Sequence, residues 1–149
     1  MKKDIDLYDK EAFLKMHAAG KLAAEVLDYI TSYVKSGVST GYLNDLCHNY
    51  ILKNDAIPAP LNYRGFPKST CISVNHVVCH GIPGDKILDE GDILNIDVTV
   101  ILDGWYGDTS RMYFVGEPSM KAKFLTKVTY ECLWLGIETV KPGSTTGDI

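Results

Sequence analysis

The chain has 149 residues, 46% of them hydrophobic and 23% charged, with a formal net charge of −4 at pH 7. That length suffices for one domain with an ordinary core, and the composition excludes a disordered chain. The negative balance offers no basic field to collect phosphates, so nucleic acid is not an expected ligand.

Lys2–Lys3 and Lys121/Lys123 read as solvated surface charge. Asp4, Asp6 and Asp9 follow the first lysine pair where a signal peptide would need an apolar run. No stretch approaches the ~18 consecutive apolar residues of a membrane span, so no membrane partner is expected and the expected location is cytoplasmic. Cys47, Cys71, Cys79 and Cys132 lack a CxxC pair or zinc-finger spacing, which fits reduced thiols.

From about Asp9 to Val34, apolar and small residues recur at Phe13, Met16, Gly20, Ala23, Leu27, Ile30 and Val34. Steps of three and four predict a long amphipathic helix with its stop near Gly37. Ser39 or Thr40 can cap a second helix with a buried face of Leu43, Leu46, Cys47, Tyr50 and Ile51. His17 and His48, both in helical segments, read as surface or packing residues. Pro58 and Pro60 end the helical stretch.

The period then changes. Residues 71–74 and 77–79 are β-prone runs around Asn75-His76, which predicts a hairpin there. Residues 93–102 and 105–115 are longer strands joined at Asp103-Gly104, a pair suited to the positive φ angles of a type I′ turn. With that turn, facing residues have numbers summing to 207 and side chains alternate faces. Asp97, Thr99, Asp108 and Ser110 then share one face, with Asp97 and Asp108 as diagonal neighbours. A bulge near Gly107 would shift this register. The opposite face carries Ile96, Val98, Val100 and Leu102, a suitable buried side.

Two carboxylates about 6 Å apart repel by about 3 kcal/mol at an effective dielectric of ~20. A bound cation, a shared proton, Arg111 or plain solvent exposure would each offset that, and spacing alone leaves all four open. Oxygen donors suit Mg, Mn, Fe(II) or Co-like ions.

Helical spacing returns after Pro118 through Leu125, Val128, Cys132 and Leu135. The segment 34–41 (VKSGVSTG) is similar to 140–147 (VKPGSTTG), an offset of 106 positions. Each follows an amphipathic helix, which suggests two repeats, the second beginning as the chain stops. By analogy with the first unit, roughly a hundred further residues are expected.

The segments Asn95-Ile-Asp97-Val-Thr-Val, Asp103-Gly104 and Gly107-Asp108-Thr-Ser110 resemble the type I methionine aminopeptidases. Upstream, Asn62-Tyr63-Arg-Gly65-Phe66-Pro67, Cys71-Ile-Ser-Val-Asn75 and Cys79-His80-Gly81-Ile-Pro83 resemble the same family in the same order. The resemblance implies an α+β pita-bread fold, a curved antiparallel sheet with outer helices in two pseudo-symmetric halves. On that reading 1–149 is a single, truncated catalytic domain, with a first repeat at about 9–116 and the start of a second at about 119–149.

The same resemblance implies two divalent metal ions (Co, Mn, Fe(II), Zn or Ni) held by two Asp, one His and two Glu. Asp97 and Asp108 match the aspartates; the His and both Glu belong to the second half of the family fold. His80 matches a catalytic histidine that contacts substrate near the scissile amide, and Tyr63, Phe66 and Cys71 match the methionine pocket. Phe66 stands where tyrosine is familiar and Pro60 where cysteine often lies. Asn75 and Val77 match a monovalent-cation loop of some members, and the resemblance leaves them unassigned.

The implied activity is removal of the N-terminal methionine before a small second residue, by water activated at the metal pair. The implied partners are nascent polypeptide N-termini at the ribosome, and the implied full-length state is a monomer. The fragment alone is expected to be inactive. A non-catalytic pita-bread peptide- or protein-binding module and a proline-specific aminopeptidase are the alternatives.

Overall fold

The computed structural model describes residues 7–149; Lys2, Lys3, Asp4 and Asp6 lie outside the described residues. The first helix, α1 (Lys10–Ile30), starts at Asp9, whose Oδ1 accepts the Ala12 amide at 2.9 Å. Such a cap satisfies one of the orphan donors of a helix start. A single 3₁₀ turn (Thr31–Tyr33) follows, and Gly37 turns the chain at φ +84°. Ser39 then caps α2 (Thr40–Lys53) by accepting the Tyr42 amide.

The sheet is antiparallel. Its central strand β3 (Ile93–Leu102) pairs along its whole length with β4 (Trp105–Phe114). The other edge of β3 is shared end to end by β1 (Ile57–Pro58) and β2 (Cys71–Val74). Asp103 and Gly104 both have positive φ, +50° and +82°, as a type I′ turn requires. The pairing follows the predicted register without a bulge: Leu102 faces Trp105, Val100 faces Gly107, and Ile93 faces Phe114.

The predicted hairpin at Asn75-His76 does not form. β2 pairs with β3 instead, Cys71 facing Asp97 and Val74 facing Leu94, so 77–79 leaves the sheet as a loop. Asn75 makes the turn at φ +54°; its side chain donates to Asp92 Oδ1 at 2.8 Å and accepts the Ile93 amide at 3.1 Å. Asn commonly tolerates that left-handed conformation.

One sheet face packs on α1 and α2. The core joins Leu22, Ala23, Val26, Leu27 and Ile30 of α1, Leu43, Cys47 and Ile51 of α2, and Leu94, Ile96, Val98 and Val100 of β3. Leu46 and Tyr50 are half-buried against it. The α1 face departs from the expected one at its start: Phe13 and Met16 are exposed, and burial begins at Ala19. The contact with the sheet is made further along the helix, where the Ala19 carbonyl lies against Gly107 of β4. Pattern marks which helix face is apolar, but not how far the sheet beneath it extends.

The linker before α2 is tied to residues 84–88. Gly37 N–H bonds to Leu88 O, Thr40 N–H to Lys86 O and Gly41 N–H to Gly84 O, at 2.8–2.9 Å. A third helix, α3 (Met120–Thr139), buries none of its residues. The turn after it repeats the backbone of the turn after α1. Val34 and Val140 have φ/ψ of −77/97° and −74/102°, and Gly37 and Gly143 have φ of +84° and +94°. The bonds Val34 N–H to Thr31 O and Val140 N–H to Ile137 O also correspond at the offset of 106.

Candidate functional site

The sheet face turned away from the helices forms the floor of a cleft of about 730 Å³. Period-two alternation places Cys71, Asp97, Thr99, Tyr106 and Asp108 on this floor, and register aligns Cys71, Asp97 and Ser110 in one row across three strands. Thr99 faces Asp108 in the next row, so the two aspartates are diagonal neighbours on one face.

The walls come from loops. Residues 59–67 supply Tyr63, Arg64, Phe66 and Pro67, and the loop after β2 supplies His80 and Ile82. Every residue singled out from the sequence, Tyr63, Phe66, Cys71, His80, Asp97 and Asp108, therefore lines one cleft. Tyr106 lines it too and was not singled out. Its even number on β4, shared with Asp108 and Ser110, is the signal that places it there.

The wall loop is tightly wound. Asn62, Arg64 and Gly65 have φ of +67°, +48° and +85°, and Asn62 N–H bonds to Phe66 O at 2.8 Å. The Arg64 guanidinium lies 5.4 Å from the Tyr63 ring centroid, within cation–π range. The segment leading into β2 is held by Asn44, buried on α2. Its Oδ1 accepts the Ser69 amide at 3.0 Å and the Thr70 amide and hydroxyl at 3.2 Å. His48 joins this network through Ser69 Oγ at 2.8 Å, while His17 is exposed.

Burial, and then the Asp108 charge, push the Asp97 carboxyl above the usual carboxylate range, with His80 pulling it partly back. The Cys71 thiol is pushed up to about 11, by burial first and then by Asp97, Cys79 and Asp108. Arg111 does not relieve the aspartates: it points to the helix side and bonds Asp28 of α1 at 2.8 Å. Two oxygen donors converging on a cleft, with no salt bridge to either among the described residues, fit a hard divalent cation. No group of three or more His, Cys, Asp or Glu placed to hold a metal occurs among the described residues.

The model for metallopeptidase family M24 matches residues 14–149. The chain belongs to this family. It is 65% identical over 145 residues to the methionine aminopeptidase of Rickettsia prowazekii (strain Madrid E), covering 97% of the chain and 56% of that relative. It is 54% identical over 141 residues to that of Escherichia coli (strain K12), covering 93% and 53%. The chain thus spans about half the length of the curated relatives it matches.

Among solved structures, the R. prowazekii methionine aminopeptidase superposes with a TM-score of 0.95 at 64% identity, covering 97% of this chain and 58% of that one. The Thermotoga maritima enzyme gives 0.88 at 35% identity, covering 94% and 57%. A Bacillus anthracis Xaa-Pro dipeptidase, 21% identical with a TM-score of 0.78, shares the fold, covering 93% and 38%. The fold is the pita-bread fold expected from the sequence, here a mixed helix and antiparallel-sheet unit. No helix among the described residues is long and apolar enough to cross a membrane.

Proposed function

We propose that these residues form the substrate cleft and two carboxylate metal ligands of a methionine aminopeptidase, which removes the N-terminal methionine when the second residue is small. The observation that carries this reading is the convergence of Asp97 and Asp108 with Tyr63, Phe66, Cys71 and His80 on one cleft. Asp97 and Asp108 would hold a pair of divalent ions, Co, Mn, Fe(II), Zn or Ni. When bound, those ions supply Lewis-acid activation of water and of the peptide carbonyl.

The chain's own groups do the rest. The aromatic and sulfur lining of Tyr63, Phe66 and Cys71 accommodates a flexible, polarisable thioether. His80, on the same loop wall of the cleft as Ile82, faces the bond to be cut and handles its proton. Burial and the Asp108 charge make the bare Asp97 carboxylate unfavourable, a penalty that a bound cation would offset.

Residues 119–149 are read as the start of a second pseudo-symmetric repeat. Supporting this are the matched turns at 34–37 and 140–143 and the unburied α3. The working environment is the cytoplasm and the substrates are nascent polypeptide N-termini, met at the ribosome by a monomeric full-length protein.

The test is hydrolysis of a Met-Ala-Ser peptide with added Co(II) or Mn(II). A polypeptide carrying this segment, extended to the length of its relatives, is expected to release methionine, and Asp97→Ala to abolish that release. The 149-residue chain alone is expected to show no significant turnover, because two carboxylates do not complete a two-ion site. Absence of activity in the extended protein would sink the reading. A dipeptide panel separates it from a proline-specific peptidase.

A further inference from the structure

Among the described residues no hydrogen bond holds the His80 ring, yet the residue sits at φ +53°, in the left-handed region that L side chains avoid. The next residue explains why. Gly81 O accepts the Ile72 amide at 2.9 Å, and Gly81 N–H donates to Ser73 Oγ at 3.1 Å. Both polar groups of Gly81 are thus pinned to β2. The approach is so close that a Cβ on Gly81 would lie 2.2 Å from Ile72 O and 2.9 Å from Ser73 Cα.

The Ser73 hydroxyl fixes the plane of the peptide joining His80 to Gly81. Val77 N–H bonds to Val74 O, and no further backbone bond among the described residues holds the chain until Gly81. Ser73 is 5% exposed and lies on the cleft face of β2, two residues beyond Cys71, so its hydroxyl reaches the loop from below. Without that bond the 80–81 peptide can turn, and His80 can relax to the negative φ that its Cβ favours.

We propose that Ser73 is a positioning residue for His80: through the Gly81 amide it holds the histidine backbone in the left-handed conformation that aims the ring into the cleft. This rests on reading His80 as a substrate-facing group, but its test observes conformation and not turnover. Failure of the clamp and failure of the peptidase reading are therefore separate results.

The experiment is NMR on the ¹⁵N-labelled 149-residue chain. Positive φ gives a strong intraresidue HN–Hα cross-peak, expected for His80 as for Asn62 and Asp103. Ser73→Ala is expected to lose the excess intensity at His80 and to speed exchange of the Gly81 amide, with Asn62 and Asp103 unchanged. Ser73→Thr, which keeps the hydroxyl, is expected to retain both signatures. A folded Ser73→Ala protein with an unchanged His80 cross-peak overturns the proposal. So does a wild-type Gly81 amide that exchanges as fast as that of exposed Val78, a measurement needing no variant.

Discussion

Gly107 of β4 lies directly against the Ala19 carbonyl of α1: a Cβ added at Gly107 would stand 2.1 Å from that oxygen. The neighbouring residue, Asp108, points the opposite way into the cleft, so the helix contact and the acidic floor share one stretch of strand. Gly107→Ala is expected to push α1 off the sheet and cost about 1–3 kcal/mol, as overpacking of a close-packed core does. The urea midpoint measures it.

Asp97→Asn should act in two opposed directions. It removes a half-buried charge that repels Asp108, and two such charges about 6 Å apart repel by roughly 3 kcal/mol at an effective dielectric of ~20. The metal-free variant is therefore expected to be more stable at neutral pH, by a fraction of that figure. The Asp97 carboxyl is raised in the folded state, so its penalty is present above that raised value and vanishes as pH falls to the ordinary 3.8. The stability gain should shrink in step. Metal binding should move the other way: Mn(II) affinity by calorimetry is expected to fall by at least the roughly tenfold that loss of an outer-sphere partner costs.

Asp92 gives the opposite pH sign. Burial pushes its carboxyl up, but the Asp89 amide, the Asn75 side chain and Lys86 together outweigh that and hold it below the ordinary 3.8. The stability it contributes is fully present above 3.8 and is lost as pH falls from there through the lowered folded value. Asp92→Asn should flatten the acid limb of the stability curve, read as urea midpoints across that range.

Asn44→Ala would strand the Ser69 and Thr70 amides in a buried site. Unpaired buried groups cost about 1–3 kcal/mol each, so a loss of at least about 2 kcal/mol is expected. Amide exchange at Ser69 and Thr70 should accelerate.

Thiol reactivity should follow burial. The Cys47 thiol is pushed up to about 12 by burial and should label only on unfolding, while exposed Cys79 and Cys132 should label at once. Cys71, buried and pushed up to about 11, should react slowly. Mass spectrometry after a short alkylation pulse reads all four.

The parts of the candidate site that were legible in the sequence are those that local chemistry determines. Asp103-Gly104 announces its turn, and a two-residue loop fixes every facing pair up to Ile93 and Phe114. The 71–79 region pairs differently from the expectation because β-propensity marks a strand without naming its partner, and the partner is β3, with facing residues 20 to 26 positions on. Asn44 gave no signal at all. A lone helical Asn looks like any surface amide until the chain returns at Ser69, 25 positions later. Tyr63, Phe66 and His80 were singled out only through resemblance, because loop conformations such as φ +48° at Arg64 leave no periodic trace; Cys71 lies on a β-prone run, but nothing local says which face it shares with Asp97.

The hairpin that carries Asp97 and Asp108 also sets an order of assembly. Its ends are joined through two residues, so little chain entropy opposes their meeting. The histidine loop and the aromatic wall reach the same floor only after β2 has searched across a longer stretch to find β3. The acidic pair is therefore expected to form early, while the chain is still loose, and the groups that would recognise a peptide close over it last.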